Sequence, residues 1–453
     1  MSHRDDIGQQ PGSVEDVVPR AAVGETAARD SALRLVSASP LYRGATIALF
    51  LAGLGQSAAA PQIALFLTKE LGGSLTTAGL FYLTSLTAPV AGYLVGARSD
   101  RTGGRLGLFR ACAVAGFLGW AGIACATQLW MPFVISALVL GFAGGAASQI
   151  FAAIHDELGV RPSAAGDGVV SVVRMALTAG WIVGPSAGAV LSARFGLRPM
   201  LAATALCTLA QIVPLGALRT PPKPAPASPE SASPPPAAVP VRPVPVRPDA
   251  APLRTKLRTM RPLLLYTALY VCVYAGEPIK YAYLPIYMTE RLHFPSGTEG
   301  AVIGVQPLVE LVLMPFAVLA ARRIGTLRLM VVAAGFGVAA NICFATTGSA
   351  PGLFAGQILM GGVWGVFAAL GIIMAQRLLP SAVATASAIF MSSTALSSAL
   401  GGSAGGLGVA AVGLPRAFLV PAAFALVAVV GLFLLDRSTR KSRASSPGPA
   451  GPA

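Results

Sequence analysis

Three ionisable residues sit where a hydrophobic chain tolerates them least. Glu277 and Lys280 fall about sixteen and nineteen residues into an apolar run that begins near residue 261. Glu310 falls about twelve residues into the next run. At ~1.5 Å of rise per residue, all three lie near the middle of a membrane-length helix. An ionised group at that depth costs at least ~2.5 kcal/mol on insertion scales, so it needs a wet cavity or a partner. Glu277 and Lys280 are three apart and share a helix face; with Glu310 they form a triad carrying one net negative charge. Two chemistries are open to them. A carboxylate in a cavity can take a proton from one side of a membrane and release it to the other, beside a bound solute. Alternatively, Glu277 and Lys280 are a neutral ion pair that locks the seventh and eighth runs together, while Glu310 leans to the functional role.

Aromatic and amide side chains gather around the same depth. Tyr266, Tyr270 and Tyr274 recur every four residues, and Tyr281 continues the stripe approximately. Tyr274 and Tyr281 bracket the charged pair and suit a cavity wall, offering an apolar face and a hydroxyl. Tyr266, near the start of the run, suits the membrane interface. Gln56, Gln149 and Trp181 are further polar candidates for substrate contact, a buried Gln serving equally as a bond between helices. A second charged group holds His155, Asp156, Glu157 and Arg174. Arg174 lies roughly 10 Å inside its run, where it pairs with Asp156 or Glu157 or acts as a gate. His3, His155 and His293 are too scattered for a metal site, and no metal or organic cofactor is expected. No G-x-x-x-x-G-K-[ST] run is present to bind a nucleotide.

The elements that must position these groups are membrane helices. Hydrophobic residues make up 54% of the 453-residue chain and charged residues 11%, against about 25% charged in a soluble domain. The length rule gives about twelve spans. They run approximately over 43–69, 74–97, 106–127, 130–155, 167–193 and 198–218, then 261–290, 298–322, 326–347, 351–378, 381–410 and 415–436. The domain organisation is a disordered tail (1–42), a six-helix bundle (43–218), a Pro-rich linker (219–260), a second bundle (261–436) and a short tail (437–453). Alternate loops concentrate Arg and Lys, the positive-inside pattern with both termini cytoplasmic. The net charge of +15 is therefore a topology signal and a means of contacting lipid phosphate, not a nucleic-acid surface. The five cysteines fall inside spans as small packing residues. A monomer is expected.

The chain also reads almost the same way twice. Residues 64–71 (ALFLTKEL) return 221 positions later as 285–292 (PIYMTERL), and 184–188 (GPSAG) return 217 positions later as 401–405 (GGSAG). On the first offset Glu277 falls opposite Gln56. A doubled hydrophobic half marks transporters whose halves rock about a central site.

Two short runs carry a family resemblance. Gly96-Ala97-Arg98-Ser99-Asp100-Arg101-Thr102-Gly103-Gly104-Arg105 closes the second span, with Gly103 and Gly104 permitting a tight turn and Gly96 a close helix approach. It resembles the loop between spans two and three of the major facilitator superfamily, G-x-x-x-D-[RK]-x-G-x-[RK]. Gly180-Trp181-Ile182-Val183-Gly184-Pro185-Ser186-Ala187-Gly188 resembles the antiporter motif of proton-driven exporters in that superfamily; Pro185 frees a carbonyl and bends its helix. Arg98-Ser99-Asp100-Arg101, Gln149-Ile150-Phe151-Ala152, Arg174 seven residues before Trp181, and Glu310-Leu311 are similar to pieces of the sugar efflux transporters.

The resemblance implies an all-α membrane fold of twelve helices in two pseudo-symmetric bundles, with spans 1, 4, 7 and 10 around a cavity and 3, 6, 9 and 12 peripheral. It implies that Asp100 and Arg101 latch the inner ends of spans 2 and 11 in the outward-facing state, and that Asp156 and Arg174 matter. It further implies a secondary transporter of the plasma (inner) membrane, not an enzyme, that exports a small sugar-like solute by proton antiport, the proton gradient serving as coupling ion. The Glu277-x-x-Lys280 pair departs from sugar exporters, whose matching segment is uncharged, and leaves room for an anionic or zwitterionic solute. A multidrug/proton antiporter and a transporter-derived membrane sensor are the competing readings.

Overall fold

The structure, a computed structural model, describes residues 32–216 and 253–444 apart from 162 and 164, together with 218. Among the described residues there is no strand, and twelve helices are long and apolar enough to cross a membrane. Spans 1 to 6 are Pro40–Glu70, Leu75–Thr102, Arg105–Ala124, Trp130–Val160, Gly168–Phe195 and Leu197–Leu215. Spans 7 to 12 are Met260–Arg291, Ser296–Ile324, Thr326–Thr346, Ala350–Leu378, Thr385–Val412 and Arg416–Thr439. An even number of crossings puts the start of span 1, the break between spans 6 and 7, and the end of span 12 on one face, here the terminal face.

Helical structure reaches into segments expected to be tail or linker. Residues 32–38 are helical, span 1 starts at Pro40, the helix leading into span 7 starts at Leu253, and the last helix runs to Ala444. The N-terminal extension forms because Ala32 and Val36, one turn apart, are buried, and Ala32 fills the space beside Gly168 of span 5. Proline at the first helical position and the Ser39 hydroxyl accepting from the Tyr42 N–H then start span 1. The expected disorder of residues 1–31 and of the Pro-rich run 221–252 lies outside the described residues.

The sequence duplication is visible as geometry. Phe66–Glu70 and Tyr287–Arg291, 221 residues apart, both widen into a π-helical turn. Gly184 and Gly188 of span 5 seat against Leu54, Ser57 and Ala58 of span 1; Gly401 and Gly405 of span 11 seat against Ala275, Pro278 and Ile279 of span 7. The partners correspond at the same offset: 54 with 275, 57 with 278, 58 with 279. Small residues let these backbones approach closely.

On the face opposite the termini the halves are packed together. Gly79 of span 2 abuts Gly402 and Gly406 of span 11, and Gly300 of span 8 abuts Ser186 of span 5. A β-carbon added at Gly300 would sit 2.5 Å from the Ser186 Cα, inside van der Waals contact. Polar contacts reinforce the seam. The Tyr283 hydroxyl donates to the Leu75 carbonyl (3.0 Å), the Thr76 hydroxyl to the Gly406 carbonyl (3.2 Å), and Lys69 pairs with Glu290 (3.5 Å). Glu299 is buried there, accepting from Gln62 Nε2 (3.3 Å) and the Thr289 hydroxyl (3.1 Å). Toward the terminal face, Arg174 of span 5 and Ala368 of span 10 are exposed where they line the central space. The structure is thus sealed on one side and accessible from the other.

Candidate functional site

A cavity of about 520 Å³ lies between the halves, and its wall holds most of the groups singled out above. Span 7 contributes Tyr274, Glu277 and Tyr281; span 8 Gln306 and Glu310; span 10 Trp364; span 5 Arg174 and Trp181. Span 7 places an acid and a base on one face because Glu277 and Lys280 stand three apart in the helical segment that starts at Gly276.

The Glu277–Lys280 pair is enclosed. Glu277 is 6% exposed and Lys280 1%. Lys280 Nζ lies 2.6 Å from Glu277 Oε2 and donates to Gln306 Oε1. Glu277 Oε1 accepts from Gln306 Nε2 (2.8 Å) and from the Trp364 indole N–H. The ammonium also sits 4.2 Å from the centre of the Tyr281 ring. Each charge is balanced and hydrogen-bonded inside the wall, the condition under which a buried pair persists. These contacts favour the clamp between spans 7, 8 and 10 over direct solute binding.

Glu310 is the contrast. It lines the cavity half-buried, one turn from Gln306, and among the described residues it makes no hydrogen bond or ion pair. Its carboxylate is free to bind a proton or a solute donor. Tyr274 packs edge-on against Trp364 with centroids 4.7 Å apart, and Trp181 of the first half meets Tyr281 of the second at 6.2 Å. Aromatic faces from both halves therefore surround the free acid.

Several expectations are corrected. Gln149 does not reach the cavity. It is buried and accepts from the Ser99 hydroxyl at 2.5 Å, because span 4 packs on the terminal end of span 2. Arg174 pairs with neither acid proposed for it. Asp156 is taken by Arg105 (2.9 Å) and Glu157 by Arg161 (3.2 Å), leaving Arg174 exposed in the cavity with no ion pair among the described residues. Gly96 has no neighbouring helix near it, since the halves stand apart on the terminal face. Tyr266 is buried rather than interfacial, and its hydroxyl donates to the Gly371 carbonyl at 3.0 Å. The cavity draws on spans 2, 5, 7, 8, 10 and 11, whereas spans 1 and 4 face a neighbouring space lined by Gln56, Ala60 and Gly141. His155 is exposed.

The span 2–3 turn forms a small charged knot. Gly103, at φ +64°, caps span 2 with its N–H on the Ser99 carbonyl. Arg105 donates to Asp100 (2.9 Å), to the Ser99 hydroxyl (2.7 Å) and to Asp156 (2.9 Å). Asp100 is 74% exposed at its side chain and Arg101 is exposed. Neither touches span 11 in this state, which leaves both available to a closed terminal face.

Gln306 and Trp364 were missed. A Gln and a Trp in apolar runs give no energetic signal of their own. The clue was that an enclosed Glu–Lys pair has more donors and acceptors than two residues can satisfy.

The twelve-helix fold is shared with known proteins. The family model described as Major Facilitator Superfamily matches residues 45–348 and 279–453. A putative sugar efflux transporter of Deinococcus radiodurans is 27% identical over 395 residues, covering 86% of this chain and 96% of that protein. The multidrug resistance protein MdtG of Proteus mirabilis is 32% identical over 162 residues, or 34% of this chain and 39% of that one. A crystal structure of the nucleoside transporter NupG superposes with a TM-score of 0.68 at 15% identity, covering 88% of this chain and 98% of that one.

Proposed function

The chain belongs to the major facilitator superfamily and is a multi-pass membrane transporter rather than an enzyme, and from that premise we propose that it exports a small sugar-like solute by proton antiport and alternating access. The observation that carries the proposal is the isolation of Glu310 as an unpaired carboxylate on the wall of a cavity sealed from one side.

The exchange follows from the cost of an unpaired charge. Closing both faces around an ionised Glu310 would leave it desolvated, at several kcal/mol. A proton removes that cost, and so does a solute whose hydroxyl or amino groups donate to the carboxylate. The halves can then change faces with either passenger, but not with neither. One carboxylate serving both passengers in turn couples them in opposite directions. The Arg-rich terminal face, read as cytoplasmic, would be the loading side, the protein lying in the plasma membrane as a monomer. The efflux transporters it is similar to support the outward direction.

The test is uptake into inside-out vesicles with an acid lumen. Labelled sugars or amino sugars should accumulate and dissipate the gradient. Accumulation that ignores the gradient would remove the antiport mechanism. A second reading, a multidrug exporter, draws on the aromatic wall and the partial similarity to MdtG. Dye uptake that no sugar competes with would favour it.

A further inference from the structure

A second space opens inside the first half, and the duplication explains why. It measures about 400 Å³ and touches the central cavity at Tyr82 and Trp181, which line both. On the 221-residue offset, which also relates the starts of spans 2 and 8 at Leu75 and Ser296, Gln56 corresponds to Glu277, Ala59 to Lys280 and Ser85 to Gln306. In the second half these positions hold the long side chains of the enclosed cluster, and Trp364 of span 10 closes over them. In the first half they are an amide, a methyl and a small hydroxyl, and span 4 presents Gly141 and Ser136. Two of the counterparts, Gln56 and Ser85, line an open space in the first half where Glu277 and Gln306 are tied into the clamp in the second.

The empty chamber is polar without being charged. Gln56 is exposed into it in the middle of span 1. The Tyr82 hydroxyl is buried with no hydrogen-bond partner, an unusual state for a phenol. Ser85 and Ser136 add hydroxyls, and Trp120 and Trp181 supply flat apolar faces. Among the described lining residues none is charged. We propose that this chamber is a second subsite, lined by Gln56, Tyr82, Ser85, Trp120, Ser136 and Trp181, that takes an uncharged pyranose ring. A pyranose offers C–H faces to indole rings and hydroxyls that both donate and accept, matching the amide, the phenol and the serines. The volume is within the ~300–1,000 Å³ common for small-molecule sites. The first half reads the ring, while Glu310 in the second takes in turn the proton or one of the solute's donors.

This inference rests on the sugar-export reading, and the test separates the two. Counterflow of labelled methyl glucoside, galactoside and mannoside needs no proton gradient and reports binding directly. Tyr82→Phe removes an oxygen that bonds to nothing in the fold, so folding is untouched. It should raise the half-saturating concentration of the preferred pyranoside about five- to tenfold, the value of one neutral hydrogen bond. Gln56→Leu should do the same, and Ala60→Leu, which fills the chamber, should do more. Wild-type counterflow with unchanged half-saturation in Tyr82→Phe, Gln56→Leu and Ala60→Leu would overturn the subsite alone. Wild-type protein that exchanges none of the three pyranosides would overturn the export reading and the subsite with it.

Discussion

Glu277 and Glu310 are two acids at similar depth whose surroundings give them different work. Glu277 is held by Lys280, Gln306 and Trp364; Glu310 is held by nothing among the described residues. Glu310→Gln should therefore fold as well as wild type and lose coupling: solute exchange continues, but accumulation no longer follows the pH gradient. Vesicle uptake at several imposed gradients checks this, and retained gradient dependence would move the proton site elsewhere. Lys280→Met should behave oppositely. It strands a buried carboxylate, which costs about 3–5 kcal/mol, so the melting temperature in detergent should drop sharply. Lys280→Met with Glu277→Met should recover most of that loss, because the pair is then absent rather than broken. Additive losses would show that the two residues are not a clamp. All three charged residues were legible in the sequence, because a charge in an apolar run is conspicuous. Their roles were not, because a role depends on which side chains of spans 8 and 10 pack against them, and apolar helices carry little record of rotation about their axes.

At the scale of elements, motifs were easier to read than what they touch. The run from Gly96 to Arg105 predicted a tight turn, and Gly103 makes it at positive φ. Its family resemblance implied a latch of Asp100 and Arg101 to span 11, and here Arg105 gathers Asp100, Ser99 and Asp156 onto the end of span 4. A single sequence supports both arrangements, since Asp100 can exchange partners as the halves move. Asp100→Asn should leave stability within about 0.5 kcal/mol, because the side chain is mostly solvated. It should slow turnover several-fold if the latch forms when the terminal face closes. Melting curves beside vesicle turnover check this, and unchanged turnover would remove the latch. Gln149 illustrates the limit of the method. A glutamine in a span facing a predicted cavity looks like a ligand, and only the register between spans 2 and 4 shows that it serves Ser99.

The whole molecule is two copies of one bundle that meet at one end and part at the other. The doubling was legible because aligned residues recur at a nearly fixed offset. Which end was shut was not, since one sequence must encode both closures. The seam that is shut is built from small residues in pseudo-equivalent places: Gly79 against Gly402 and Gly406, Gly300 against Ser186. Gly79 and Gly300 are themselves 221 residues apart. Each stands within its own half's helix and collides with the other half only when this face is closed, so a larger side chain penalises one conformation and spares the fold. Gly79→Val and Gly300→Val should each keep normal folded yield and lose transport by more than tenfold. Both should leave the face opposite the termini open, so that a cysteine placed at Ser186 reacts with a membrane-impermeant maleimide far faster than in the unblocked protein. Equal labelling with full transport would mean that the contacts of spans 2 with 11 and 5 with 8 do not gate the cavity. Blocked transport with slow labelling would mean that the glycines limit some other step. The two substitutions act on symmetry-related contacts of one closure, so their effects should not add: either one alone holds the face open, and the second has nothing left to prevent.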